Sequence, residues 1–497
     1  MREPRRPIPA EAVGISAMSC YVPRLRVDLQ SWCAWTGTNW DKVRAVTGHS
    51  FRMCGMHEDI YTMAANAVLR LITANGIDTR RIGFLALGTE SSSDNAVGAV
   101  TVCGMVDREL RRRGLPGLPR DLEVPEYKHA CLGGMYALTG AARYVQCESG
   151  DRTAIVVAAD IAEYQRGSSG EQTQGAGAVA MLVERAPALL ALDLAHATRS
   201  AAYRGPDFRK PVARHHTEGY APATQRPSDF PVFSGRYSTS AYLDAVTHAV
   251  EALWRRLGSE PAEALRDLSG IFMHRPYQRM PLQALSFFYV RALAATHTER
   301  EELEELCAVA GVSPEAVVKE LDSSPDLFGS VLAGERHPNP YRATVAVGTE
   351  VRRRTGFQEF AHTRLDRGAA LLAQVGNLYS ASLPAALAAG LETALDSGEE
   401  LVGTSLLTVG YGSGDAALAL PVSAVPGWQH AARRIGFARA LRFPVDLDQA
   451  TYEALHDRRE VPGLQVQPLQ EFVIECTGSE HGPGFQDLAV PYYAYEY

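Results

Sequence analysis

The sequence predicts an α/β fold, because apolar strand-like segments that end in polar residues alternate along the chain with stretches of helical periodicity. Residues 82–87, 155–159 and 401–409 read as strands that deliver polar residues at their ends, and their alternation with helical stretches implies that helices cover both sheet faces. The last of these runs into Gly410-Tyr411-Gly412-Ser413-Gly414. Helical spacing is clear over residues 59–74, 240–257, 280–295, 298–310 and 382–395. Residues 203–237 are rich in Pro, Gly and polar side chains and read as a long irregular insertion, placed to form part of a substrate entrance. From about residue 425 onward the pattern is mixed, with an aromatic end (Tyr492, Tyr493, Tyr495, Tyr497) expected to pack as a final small element.

Composition narrows the function classes. The 497 residues are 46% hydrophobic and 21% charged, and no apolar run is long enough to cross a bilayer. The N-terminal MREPRRPIPAE is basic but has no apolar core, so it reads as a short lead rather than a secretion signal, and a cytoplasmic location is expected. Net charge is −8, and the arginine runs (Arg111 to Arg113, Arg352 to Arg354) lack interleaved aromatics, which argues against a nucleic-acid groove. The eight cysteines form no CxxC pair and no ligand-like spacing with histidine, so reduced thiols and no structural metal are expected. The doublet His215-His216 lies in a polar stretch that reads as a surface loop.

Three local motifs carry chemistry. In KHACLGGMYAL a single cysteine, Cys131, precedes a helical run in which Met135, Leu138, Thr139, Ala142 and Val145 recur at helical spacing. Unpaired backbone N–H groups at a helix N-terminus favour thiolate, and Gly133 and Gly134 would let a substrate carbonyl approach the backbone. The motif alone serves equally an acyl-carrying nucleophile and an inert buried cysteine. At the end of the 82–87 strand, Gly88-Thr89-Glu90 would hold a carboxylate on a rigid scaffold, where burial would raise its pKa towards that of a base; a helix-cap acid is the alternative. At the end of a third strand-like run, FMHRPY places His274 before a Pro-marked turn, as a polarising group or a core histidine.

The order and flanks of these motifs resemble the hydroxymethylglutaryl-CoA synthase family of thiolase-fold condensing enzymes. The resemblance starts at VGISAMSCYVPRLRVD and continues through GFLALGTESSSD, HACLGGMYAL, AIVVAADIAEY, GAGAVAML, DFRKP, FMHRPY, VGNLYSASL and GYGSG to YEALHDRRE. It implies a layered αβαβα fold with two related halves and two sheets around central helices. The halves fall at 1–200, carrying Glu90 and Cys131, and 261–425, carrying His274. Between them lies an insertion and helix (201–260), and a C-terminal extension (426–497) follows. By position the family's catalytic residues fall on Glu90, Cys131 and His274, and its substrate-binding residues on Asp160, Asp207, Tyr277, Arg279, Asn377 and Ser413. The implied reaction has Cys131 acetylated by an acetyl thioester. Glu90 then removes a methyl proton, the enolate adds to the ketone of an acetoacetyl-type thioester polarised by His274, and water releases the product. No cofactor is implied beyond acyl-CoA or acyl-carrier-protein thioesters, and a homodimer is.

Departures from the family pattern bear on substrate. Leu132 and Met135 stand where the family usually has an aromatic and a small residue, and would reshape the acyl pocket. Arg279 replaces a lysine facing the CoA phosphates, keeping the charge and changing its geometry. Residues 212–229 form a longer loop than usual. The pocket changes and the longer loop lean towards polyketide β-branching on carrier proteins over mevalonate-pathway synthesis from free CoA thioesters. Decarboxylative condensation or plain acyl transfer fits less well, since such sites commonly use a second histidine or an asparagine where this chain has Glu90. A silent scaffold is disfavoured by the retention of all three reactive residue types.

Overall fold

The computed structural model describes residues 11–92, 98–207, 230–232, 234–464, 466, 468, 470–480 and 482–497. In the N-terminal half, β1 (Val13–Tyr21) and α1 (Ile60–Asn75) precede β2 (Ile82–Gly88), α2 (Gly98–Arg112) and α3 (Gly133–Cys147), followed by β3 (Thr153–Ala162), β4 (Gly175–Arg185) and the short β5 (Leu190–Leu192). The C-terminal half contains α4 (Arg236–Leu257), β6 (Leu268–Met273), α5 (Met280–Ala295), α6 (Ser382–Asp396), β7 (Ser405–Gly412) and β8 (Ala416–Ala424). The same unit occurs in each half. A strand leads through helices to a central helix, then to a strand parallel to the first, and then to an antiparallel one: β2, α3, β3, β4 in one, β6, α6, β7, β8 in the other.

The layers follow from burial on both faces of these strands. Every residue of β3 except Ile161 is buried, as the apolar run requires. Helix α1 covers the outer face of the N-terminal strands, α4 that of β7 and β8, and α3 and α6 lie between. One apolar cluster joins α3 and α6 to the inner faces of both halves (Leu138, Val156, Leu387, Leu418), and a separate cluster lies under each outer helix layer. The expected two sheets are hydrogen-bonded into one ten-stranded sheet, because β5 pairs with β1 (Gly14 opposite Ala191) and also with β8 (Val422 opposite Leu192).

Helix α5 begins and ends where the periodicity places it, and α1 is fixed by a capping box in which Asp59 and Thr62 exchange 2.8 Å hydrogen bonds. The strand expected from 401 begins only at Ser405, since a turn closed by Thr404 N–H to the Leu401 carbonyl (3.1 Å) precedes it. Helices Pro314–Leu321, Leu327–Leu332, Arg342–Val351 and Thr355–Leu365 occupy a stretch with no expected element; each is too short to show a sustained apolar face. Within the expected irregular insertion, residues 208–229 and 233 lie outside the described residues, as do His215-His216 and the lead at 1–10. The aromatic tail forms a hairpin (Glu471–Thr477 with Pro491–Glu496) on α1 and α2, where Phe472 N–H donates to Asn66 Oδ1 (2.8 Å) and the Tyr497 hydroxyl donates to Glu109 (2.8 Å). No helix among the described residues is long and apolar enough to cross a membrane.

Candidate active site

The end of β2 delivers Glu90, and a buried carboxylate holds it there. Asp160, near the end of the neighbouring β3, is fully buried. Its Oδ1 accepts from Thr89 Oγ1 (2.9 Å), Glu90 N–H (2.8 Å), Ser91 N–H (2.7 Å) and Ser91 Oγ (2.6 Å). Its Oδ2 accepts from Ser380 N–H (2.9 Å) and the Ser380 hydroxyl, so one side chain ties the Glu90 turn to the loop ahead of α6 in the other half. Both oxygens of Asp160 are thereby engaged within the protein, away from any substrate.

Cys131 sits two residues ahead of α3, after Ala130 at φ 43°, a conformation rarely adopted by a residue with a Cβ. Its Sγ donates to Glu90 Oε2 at 3.2 Å. The glycine pair after it has a structural reason. A Cβ on Gly134 would lie 2.4 Å from the Ser380 carbonyl oxygen and 2.8 Å from Ala158 Cβ, and one on Gly133 would lie 2.8 Å from the Tyr127 carbonyl oxygen. The space expected to admit a substrate carbonyl is thus filled by protein backbone, and the glycines let α3 dock closely enough to present Cys131 beside Glu90.

His274 follows β6 with its N–H bonded to the Val409 carbonyl (3.0 Å), and it is 1% exposed. Burial alone lowers its pKa to about 3, so the ring is neutral at physiological pH, and its Nδ1 has no partner among the described residues. The Tyr411 ring stacks beside it with centroids 6.5 Å apart.

A cavity of about 170 Å³ brings Cys131, His274, Tyr277, Asn377 and Ser413 together on one wall system. That volume suits an acyl group, being below the roughly 300–1,000 Å³ of sites that enclose larger ligands. Glu90 joins through Cys131. Asp207 lies behind the cavity, fully buried and accepting from the Tyr411 hydroxyl (3.1 Å). Arg279 is at the start of α5, its N–H on the Val46 carbonyl (3.2 Å), and is not among the lining residues. Sequence reasoning missed Tyr164 and Tyr379, which line the cavity next to Cys131 with rings 6.3 Å apart. Burial pushes both phenols up, Tyr379 also through the neighbouring Tyr164 and Glu90. Their only signal was position, as the last residues of AADIAEY and VGNLY. Among the described residues no group of His, Cys, Asp or Glu is arranged to hold a metal ion.

The model of the hydroxymethylglutaryl-coenzyme A synthase N-terminal region matches residues 9–187, the part that carries Glu90 and Cys131. A hydroxymethylglutaryl-CoA synthase of Haloferax volcanii is 26% identical over 476 residues, covering 94% of this chain and 97% of its own. Over nearly its whole length the chain is similar to hydroxymethylglutaryl-CoA synthases. Its fold is that of solved structures such as MvaS in complex with 3-hydroxy-3-methylglutaryl coenzyme A (TM-score 0.73, 23% identity, 98% of this chain and 99% of that one). The curacin biosynthetic pathway HMG synthase in complex with holo donor-ACP has a TM-score of 0.69 at 18% identity, covering 98% of this chain and all of its own. Against the family pattern, one expectation needs correction: Leu132 and Met135 do not face the cavity. Both are buried in the central core, where Leu132 fills the space over Gly410 and Gly412 (a Cβ on either glycine would come within 2.6 and 2.8 Å of it), so the substitution repacks the seam between the halves.

Proposed function

We propose that this chain catalyses a hydroxymethylglutaryl-CoA synthase-type condensation, and the observation that carries the reading is the 3.2 Å contact between Cys131 Sγ and Glu90 Oε2 beside the cavity that neutral His274 lines. The Cys131 thiolate attacks the carbonyl of an acetyl thioester, and the donor thiolate leaves. Glu90 takes a proton from the acetyl methyl, the enolate carbon bonds to the ketone carbon of an acetoacetyl-type thioester as its C=O π bond breaks, and the resulting alkoxide recovers that proton to become the tertiary hydroxyl. A ring with a pKa of about 3 is too weak a base to arrive as imidazolium, so His274 polarises that ketone as a neutral hydrogen-bond donor. Water then hydrolyses the Cys131 thioester. Asp160 acts as a positioning residue, while Tyr277, Asn377 and Ser413 meet the acyl chain and Arg279 the carrier's phosphate.

Peptide mass spectrometry after incubation with acetyl-CoA, followed by acetoacetyl-CoA, tests this. An acetyl adduct on Cys131 that is consumed as hydroxymethylglutaryl-CoA forms is expected. Glu90→Gln should keep the adduct and lower condensation by about 10²–10⁴-fold, the usual contribution of a positioned base. Loss of acylation alone would overturn the role of Glu90. An adduct formed only from acetyl carrier protein would assign the carrier-linked reaction. The family resemblance further supports a cytoplasmic homodimer, which sedimentation of the purified chain would read.

A further inference from the structure

Behind His274 lies a pair of buried carboxyl groups that the reaction above does not use. Asp207 is fully buried and Asp415, in the turn between β7 and β8, is 4% exposed. The Tyr411 hydroxyl is 3.1 Å from one oxygen of each, so the two carboxyl groups meet at a single hydroxyl. Asp207 Oδ1 and Asp415 Oδ2 are the oxygens left over, buried with no donor among the described residues. Among the described residues the surrounding charges do not supply a second cation. Arg204 Nε lies 4.0 Å from Asp415 Oδ2, but its guanidinium is bound to Asp244, which also accepts from Tyr341 and faces His248. Among the described residues Tyr237, whose hydroxyl donates to the Arg204 carbonyl (2.6 Å), also faces the pair. Two adjacent carboxylates in such a place cannot both ionise.

We propose that Asp415 is a positioning residue for the condensation: it shares a single proton with Asp207, and the pair anchors the Tyr411 hydroxyl so that the Tyr411 ring backs the His274 imidazole. The role rests on the condensation proposed above. In support, burial and the negative charge of Asp207 raise the Asp415 pKa to about 8. When that proton leaves, like charges push the carboxylates apart, Tyr411 loses its two-point anchor and His274 its backing ring.

The test uses the full chain, pre-acetylated at Cys131, with condensation followed on adding acetoacetyl thioester. Wild type should lose about fivefold in condensation between pH 8 and about pH 9, as the shared proton dissociates, with acylation unchanged. Asp415→Asn, whose amide still donates to Asp207 but cannot ionise, should keep near-normal activity at neutral pH and show no alkaline loss. Asp415→Ala should be slow throughout, in kcat rather than KM. Infrared difference spectra between about pH 6 and about pH 10 should show a protonated-carboxyl stretch in wild type that is absent from Asp415→Asn. The proposal is overturned if that band is missing, or if Asp415→Asn keeps the alkaline loss. A chain that shows the band but never acylates Cys131 would instead remove the condensation reading and leave the shared proton standing.

Discussion

Neutral His274 makes the protein sensitive to acid in a way that can be worked out from its surroundings. The imidazole is 1% exposed and burial lowers its pKa from 6.5 to about 3. Between those values the unfolded chain binds a proton that the folded chain refuses, so stability is complete above about pH 6.5 and falls as pH drops towards 3. At 1.36 kcal/mol per pKa unit the full loss is roughly 5 kcal/mol, of which about 2 kcal/mol falls between pH 7 and pH 5. Urea unfolding of wild type and His274→Gln at the two pH values isolates this share from other titrating groups. Wild type should lose about 2 kcal/mol more than the variant on acidification, and the imidazole resonance of His274 should not titrate down to about pH 4. Equal losses in the two proteins, or a titration near pH 6.5, would refute the claim that His274 works as a neutral donor.

Replacing Asp160 with Ala strands the donors of Thr89, Ser91 and Ser380 in the interior and should cost about 3–5 kcal/mol in chemical denaturation, with condensation falling because Glu90 is no longer fixed. Gly134→Ala puts a methyl 2.4 Å from the Ser380 carbonyl oxygen; it should destabilise by about 1–3 kcal/mol and, by moving the Tyr379 loop, slow Cys131 acylation, as read by the mass-shift assay. Tyr452→Phe removes a 2.7 Å bond to buried Glu171, which still accepts from Trp32, so a loss of about 1 kcal/mol in the denaturation midpoint analysis is expected.

The parts of the site that could be read from the chain are those whose signal is local. Glu90 and His274 stand at the ends of apolar strands, and Cys131 precedes a helical run, so period and punctuation place all three. What stayed hidden depends on contacts between distant segments. Tyr164 and Tyr379 are 215 positions apart by number and meet only because β3 and the loop ahead of α6 lie together. Leu132 and Met135, adjacent to the nucleophile in sequence, point into the core because the helix they begin is buried between two sheet regions. The glycine pair was read for substrate access because a sequence does not show the Ser380 carbonyl already occupying that space. Asp415 gave no signal, since its partner Asp207 lies some two hundred residues away.

The repeated unit explains why the reactive groups converge. In each half the first strand of the unit ends in a reactive side chain, Glu90 after β2 and His274 after β6, and the loop ahead of the central helix lines the cavity, with Cys131 ahead of α3 and Asn377 and Tyr379 ahead of α6. The halves are locked where those loops touch. Gly134 packs under Ser380, Gly412 under His129 and Leu132, and Asp160 holds both the Glu90 turn and Ser380. A shift of one half against the other would have to break these backbone-close contacts together. The separation between Glu90 and Cys131 on one side and His274 on the other is therefore fixed by packing before any substrate arrives, which is the preorganisation that the proposed carbon–carbon bond-forming step needs.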